Sequence, residues 1–511
     1  MTMGRESLLW NTLIVLLAGV GMLALLRAWA PSRIGRWVPP ATAEALGATR
    51  FWVAAILLAG VCWEDLASSA YLPREMLSRD VQWIAKLLLR APIGFDQFLV
   101  NPDALRGLHI ATGVLLACAA LGAFTRWTIP AAVLCYLLMG SILRSYDHLF
   151  HQGVVPLYAL TLLAFAPCSD ALSVDRWLRG RRGLPVAPSR EPSLKYGLGR
   201  YLVWLAIALC YAMAGWSKLR NTGLLWWEPG QMKHLVYTMA AEPTHFNFQG
   251  WRLLADAPGW VWAFVGLISL AGEVLFVLVL VSRRARWIFP MVMMSMHLGI
   301  LYMQNIFFPD LIAIQAVFYP WGALLEPLRR RWHARRARPA PLQPAAGSVL
   351  AGPEKKMALV AAAFTVLCFT NWAARTEKFP FTAWQMFSRR AKQGPVEHVR
   401  PMVVYADGTR ERARFERWIW AVTDARFRWL LTDWDDGPER VAVLRRFLDA
   451  SAAVANASAP PGRRVAFFEI ELRMWDYRRH PHGPEHAELV RVVRHPEQPR
   501  TFAPAARARP R

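Results

Sequence analysis

The sequence lacks the signatures of soluble nucleotide and hydrolase chemistry. It has no Walker phosphate loop, no GxGxxG between a strand and a helix, no HExxH and no GxSxG. Nucleotide-dependent, zinc-protease and serine-hydrolase chemistries are therefore disfavoured. Cysteine is scarce. The six are Cys62, Cys118, Cys135, Cys168, Cys210 and Cys368, all in or at the ends of apolar segments, with no CxxC pair. That distribution argues against a disulfide framework or a zinc site and suits small packing residues. Acidic residues are outnumbered, 36 against 60 basic, for a net charge of +24. The basic residues are mostly arginines gathered in loops and towards the C-terminal end. No basic stripe with interleaved aromatics stands apart from the apolar flanks, so nucleic acid is not an expected partner. His480, His482, His486 and His495 lack the cysteine or acid spacing of a metal site, no metal is predicted, and they read as solvated. No internal repeat is evident.

What the chain has is apolar length. Of its 511 residues, 55% are hydrophobic, and runs near 20 residues recur. This predicts an all-α polytopic membrane helix bundle with the bilayer as its partner. Ten spans are expected, near 8–29, 51–67, 104–123, 127–143, 152–167, 201–217, 258–281, 287–303, 305–322 and 357–374. The first reads as a retained helix, because Glu6 and Arg27 spoil a cleavable leader. Residues 77–100 mix apolar and basic residues and read as an interfacial segment. The organisation is then an N-terminal helix (1–48), a membrane bundle (49–322), a basic linker (323–356), a final span (357–374) and a small α+β extramembrane domain (375–511).

Arginine also sets the expected orientation. The loops after spans one, five, seven and nine carry Arg33, Arg36 and Arg50; Arg176 to Arg200; Arg283, Arg284 and Arg286; and Arg329 to Lys356. All follow odd-numbered spans and point to the cytoplasm of an inner-membrane protein. Both termini and the C-terminal domain are expected outside. In that domain, residues from Met402 read as a strand turning at Asp407-Gly408. Residues 418–431 and 437–455 read as helices, Arg464 to Tyr477 as a strand, and 480–511 as a fraying end.

Lys218 closes the apolar run Tyr201–Ser217 within YAMAGWSKL. An ammonium at the edge of a membrane helix must reach water, find a partner or lose its proton. It is either a base or a snorkelling anchor. Glu273, the acid within the seventh span, has Lys218 and His297 as possible partners. His297 lies roughly 16 Å up its helix from the cytoplasmic arginines at 1.5 Å per residue, on the Lys218 side. Tyr146-Asp147-His148-Leu-Phe-His151 follows span four. A histidine beside a carboxylate suits acid–base work, and a solvated turn whose aspartate caps a helix is the plain alternative. Trp226 and Trp227 form either an interfacial belt or a flat wall for an aromatic ligand.

Together these segments resemble a known family: the membrane part of vitamin K-dependent γ-carboxylases and their bacterial relatives, the HTTM (horizontally transferred transmembrane) proteins. The resemblance covers 49–322. Tyr211, Ala214, Gly215, Lys218 and Leu219 match the setting of the carboxylase lysine. The resemblance implies that Lys218 is the base that starts quinol oxygenation, that His148 and His297 stabilise the anion or relay protons, and that Ser173-Val-Asp175 is structural. A reduced quinone of the vitamin K or menaquinone type would sit near Trp226, Trp227, Glu273 and His297, its oxidation coupled to modification of an outer-face substrate. The large lumenal domain of the carboxylases is missing. Phe379–Ser388 looks like a segment seen after other bacterial HTTM domains. The alternative is a non-catalytic membrane module that presents the C-terminal domain to an envelope protein. Transport is a third reading, with less behind it.

Overall fold

The computed structural model describes residues 37–76, 82–146, 151–242, 246–319, 321, 352–390, 394–421 and 438–496. The expected first span, most of the basic linker and His148 lie outside the described residues.

The helices are α1 Ala43–Trp63, α2 Trp83–Arg90, α3 Phe95–Leu99, α4 Pro102–Leu121, α5 Thr125–Ser145, α6 Val154–Leu163 and α7 Val174–Arg181. They continue as α8 Leu194–Thr222, α9 Pro229–Ala240, α10 Gly259–Leu275, α11 Ala285–Gln304, α12 Pro309–Ala313, α13 Gly352–Ala373 and α14 Pro438–Ala457. Each expected span after the first coincides with a helix. Six of them, α1, α4, α5, α8, α10 and α13, are long and apolar enough to cross a membrane. Among the described residues, length and composition support six of the ten expected spans, and the first expected span lies outside them. α6 and the 309–318 stretch are too short, and α11 dilutes its apolar residues with Arg286, Ser295, His297 and Gln304. Residues 82–99 form the short helices α2 and α3. α2 is fastened to α5, where the Ser145 and Ser141 hydroxyls accept from the Gln82 and Ala85 amides (3.0 and 3.1 Å).

Local chemistry sets the helix ends. Asn101 caps α4 by accepting from the Asp103 and Ala104 amides, with Pro102 at the first turn and Gly122 in the left-handed region (φ 69°) after its end. Asp175 performs the equivalent task for α5. Its carboxylate accepts from the Phe124 amide and from the Thr125 amide and hydroxyl (2.6, 2.9 and 2.8 Å). Ser173 caps α7 through the Arg176 amide. The Ser-Val-Asp segment thus ties two helix starts together. Arg50, fully buried, donates to the carbonyls of Cys168, Ala120 and Leu172 (2.7, 3.2 and 2.6 Å). It fills the carbonyl sockets that helix ends leave open.

After α13 the chain forms a hairpin, β1 (Glu377–Lys378) with β2 (Phe381–Thr382), and then a strap running to Arg390. The antiparallel sheet of the C-terminal region has the order β4-β3-β5-β6, with β3 Val396–Tyr405, β4 Arg410–Arg412, β5 Val465–Trp475 and β6 Glu488–His495. The β3–β4 turn uses Gly408 at φ 82°, as Asp-Gly predicts. Helix α14 occupies the place expected for 437–455. Residues 418–421 make only a turn, and the rest of the expected 418–431 helix lies outside the described residues. The expected fraying beyond 480 is corrected within the described residues: Glu488–His495 is a strand paired to β5, with Arg494 on Glu469 (2.8 Å), while 497–511 lie outside them. His495 is not free in solvent but contacts Asp449 (2.7 Å). The sheet does not hang free of the bundle. The Trp420 indole donates to the Trp63 carbonyl, the Ala421 amide donates to Ser68, and Arg400 reaches Glu242.

One face of the sheet carries an acid–arginine network. Glu471 meets Arg473 (2.8 Å) and Arg410, and Glu469 meets Arg410 and Arg494 (both 2.8 Å). Burial pushes the Glu471 carboxyl up, but the hydrogen bonds and charges of Arg473 and Arg410 outweigh it and hold the group below its ordinary 4.5. A carboxyl depressed by folding adds stability that is complete above its unfolded value and is lost as pH falls through the folded one. The expected result is a C-terminal sheet that loosens as pH drops below 4.5, with Glu471→Gln flattening that dependence. Amide hydrogen exchange of β3 and β5 against pH checks it.

Candidate functional site

Lys218 sits on the face of α8 that meets α10. The small residues of AMAG allow the approach: a side chain at Gly215 would stand 2.8 Å from the Val274 backbone nitrogen. One turn on, the Lys218 ammonium donates to both oxygens of Glu273, at 2.8 and 2.6 Å. Both side chains are buried, and the Trp226 ring lies 5.2 Å from Nζ. Of the two partners open to Glu273 on sequence grounds, Lys218 is the one it takes. Two turns back on α8, the Tyr211 hydroxyl contacts His297 Nε2 and accepts from Gln315 (both 2.9 Å). Lys218–Glu273, against α10, and Tyr211–His297, against α11, are therefore two pairs, two turns apart, in a buried polar layer along α8.

Trp226 is buried and donates its indole N–H to the Phe387 carbonyl (2.7 Å). It pins the strap rather than joining an exposed belt. Trp227 is only partly covered.

Next to this layer is a cavity of about 1260 Å³. Its walls come from the ends of α1, α5 and α9, the 304–313 stretch, the strap and the β3 edge of the sheet. Trp52, Ile56, Leu143, Phe246, Ile306, Phe307 and Phe308 make much of the lining apolar. Arg144, His151, Gln304, Asp310 and Glu377 add polar groups. None of Lys218, Trp226, Trp227, Glu273 or His297 lines it. His297 and Trp226 stand one residue behind, His297 under Phe308 (5.5 Å) and Trp226 held by the wall residue Phe387, and Lys218 with Glu273 lies behind Trp226, whose ring is 5.2 Å from Nζ.

The polar end is built by two turns and the strap. Arg144, at the end of α5, lies over the Phe379 ring (4.2 Å) and donates to the Gly140 carbonyl (3.2 Å) and the Gln152 carbonyl. Asp310, at the start of α12, accepts the Gly153 amide at Oδ2 (2.7 Å), while Oδ1 has no protein partner among the described residues. His151 Nε2 meets Thr382 Oγ1 at 2.9 Å, its ring packs against Trp384 (5.2 Å), and its Nδ1 also lacks a protein partner among the described residues. Gln304 Oε1 is a third such acceptor. Burial pulls His234, on the far wall, below its ordinary 6.5, against a Gly394 backbone hydrogen bond that raises it.

Sequence reasoning chose the segment containing His151 but named His148. It noted Phe379–Ser388 without giving it a role. It missed Asp310, whose Phe-Pro-Asp helix start reads as an ordinary cap. Among the described residues, no group of three or more His, Cys, Asp or Glu side chains could hold a metal ion. No family profile, curated protein or solved structure matches this chain.

Proposed function

We infer that this is a multi-pass membrane protein that takes an amphipathic, lipid-soluble small molecule into the cavity between its helix ends and its C-terminal sheet. A reduced quinone is the ligand class in view, and carboxylase-like oxygenation is the activity. The observation that carries this reading is the cavity: large enough for a ring system with part of a tail, walled by apolar side chains, and provided with a few polar groups at one end. The acceptors on its lining that lack a protein donor among the described residues suit a ligand head that carries hydroxyl groups. The site expected from sequence does not frame such a ligand directly, because Trp226, Phe308 and Phe387 stand in front of Lys218 and His297. On this reading the Lys218–Glu273 pair is a proton-holding layer behind the wall. The alternative, a module displaying its C-terminal domain, is weakened because that domain is itself part of the cavity wall.

In the reaction implied, a quinol and dioxygen give a quinone epoxide and water. Purified protein in lipid nanodiscs, given reduced menaquinone and oxygen, is expected to form epoxide. The double variant Lys218→Met/Glu273→Leu keeps the buried layer neutral and is expected to lose about 100-fold or more of the rate, the order of a missing acid–base group. Wild-type protein that binds the quinol without forming product ends the enzymatic reading. Protein that does not bind it ends the quinone reading altogether.

A further inference from the structure

The hydroxyl of Thr382 has one proton and three neighbours. Its Oγ1 lies 2.8 Å from Glu377 Oε2, 2.9 Å from the Trp384 amide nitrogen and 2.9 Å from His151 Nε2. The amide can only donate, and the carboxylate can only accept. The single hydroxyl proton is therefore committed to Glu377, and both hydroxyl lone pairs receive donors. His151 must then donate from Nε2, which in a neutral ring leaves Nδ1 as the basic nitrogen. Glu377 is held in this role by its other oxygen, which accepts the Gln385 amide at 3.1 Å. The ring cannot readily turn to exchange its nitrogens, because it is buried against Trp384.

Nδ1 is a buried acceptor on the cavity lining without a protein donor among the described residues, and Gln304 Oε1 is another. Buried acceptors in folded proteins are nearly always paired, so each of these faces something that brings a donor.

We propose that His151 is a proton-accepting residue of the cavity, with Nδ1 as its working nitrogen, and that Thr382 and Glu377 are positioning residues that fix this tautomer from the strap after the final span. The ligand presents an O–H or N–H to Nδ1. The tautomer assignment stands without the quinone reading; the choice of probe below rests on it.

The arrangement makes an unusual demand on one substitution. In Glu377→Gln, the oxygen of the new side-chain amide would keep the Gln385 backbone N–H, which can only donate. The NH2 of that new amide then points at Thr382. The hydroxyl, receiving donors from this NH2 and from the Trp384 amide, must turn its proton onto His151 Nε2. The ring responds by carrying its proton on Nδ1. The acidic partner thus controls which nitrogen is basic, through a hydroxyl rather than directly.

The test is nitrogen NMR of full-length protein in nanodiscs with 15N-labelled histidine, the His151 signals being identified by their loss in His151→Gln. Wild type is expected to carry the proton of its neutral ring on Nε2. Thr382→Ser, which keeps the hydroxyl, should preserve it. Thr382→Val should leave a mixture, and Glu377→Gln should show the proton on Nδ1. A neutral wild-type ring protonated at Nδ1, or a Glu377→Gln ring unchanged from wild type, overturns the proposal. The ligand half is read with reduced menaquinone and its di-O-methyl ether as probes. Wild type should bind the quinol about ten-fold more tightly than the ether, the scale of one buried hydrogen bond, and Glu377→Gln should erase the preference. Equal binding of the two by wild type overturns the donor requirement. If neither binds, the quinone reading fails while the nitrogen spectra still decide the tautomer.

Discussion

Glu273→Ala is expected to destabilise the folded protein by about 3–5 kcal/mol, the range for stripping one partner from a buried ion pair. The Lys218 ammonium is buried in a helix layer, and both of its carboxylate contacts are to Glu273. Without that carboxylate, an uncompensated charge remains among apolar side chains and the Trp226 ring. Neutralising both partners removes the problem. Lys218→Met/Glu273→Leu roughly keeps the volume and is expected to fall within about 1–2 kcal/mol of wild type, or to exceed it. The cycle of two single variants and the double, followed by thermal unfolding in one detergent, isolates the coupling. Additive single effects would mean that the pair is solvated in practice and that the close approach permitted by Gly215 does not bury it.

Glu242→Ala is the second large effect. This carboxylate is 3% exposed, follows α9 and stands between two arginines of the sheet. Arg400 Nε donates to one oxygen at 3.0 Å, and Arg412 Nε lies 3.0 Å from the other. Both arginines keep about a quarter of their surface in solvent, so screening trims the loss to about 2–4 kcal/mol. The loss should be local. Strands β3 and β4 would exchange their amides faster and become open to protease, while the α8–α10 layer stays protected. Glu242→Gln should recover part of the effect by keeping one acceptor. Loss of protection throughout the bundle would show that the carboxylate holds more than the sheet.

Much of this fold was legible in the sequence because bilayer burial demands long apolar runs, and such runs survive any choice of neighbours. The β3–β4 turn was legible because Asp407-Gly408 can do little else. The count of spans was less legible, because hydropathy alone cannot separate a ten-residue buried helix such as α6 from a shallow crossing. The strand at 488–495 was hidden by flanking prolines and histidines, although its Leu-Val-Arg-Val-Val core carries β propensity. In the candidate site, the Lys218–Glu273 pair could be narrowed from sequence, since an acid and a base buried in neighbouring spans seek each other. The polar end of the cavity could not. His151 and Thr382 are 231 residues apart, and nothing in either segment announces the other.

The strap and sheet that complete the chamber are encoded after the last apolar crossing. A ribosome working from the N-terminus would thread the six long helices of the described residues before any residue of Glu377–Arg390 emerged. Nascent chains arrested at that stage would be fully inserted yet unable to hold a guest, so occupancy of the chamber would report that translation had gone beyond the last helix.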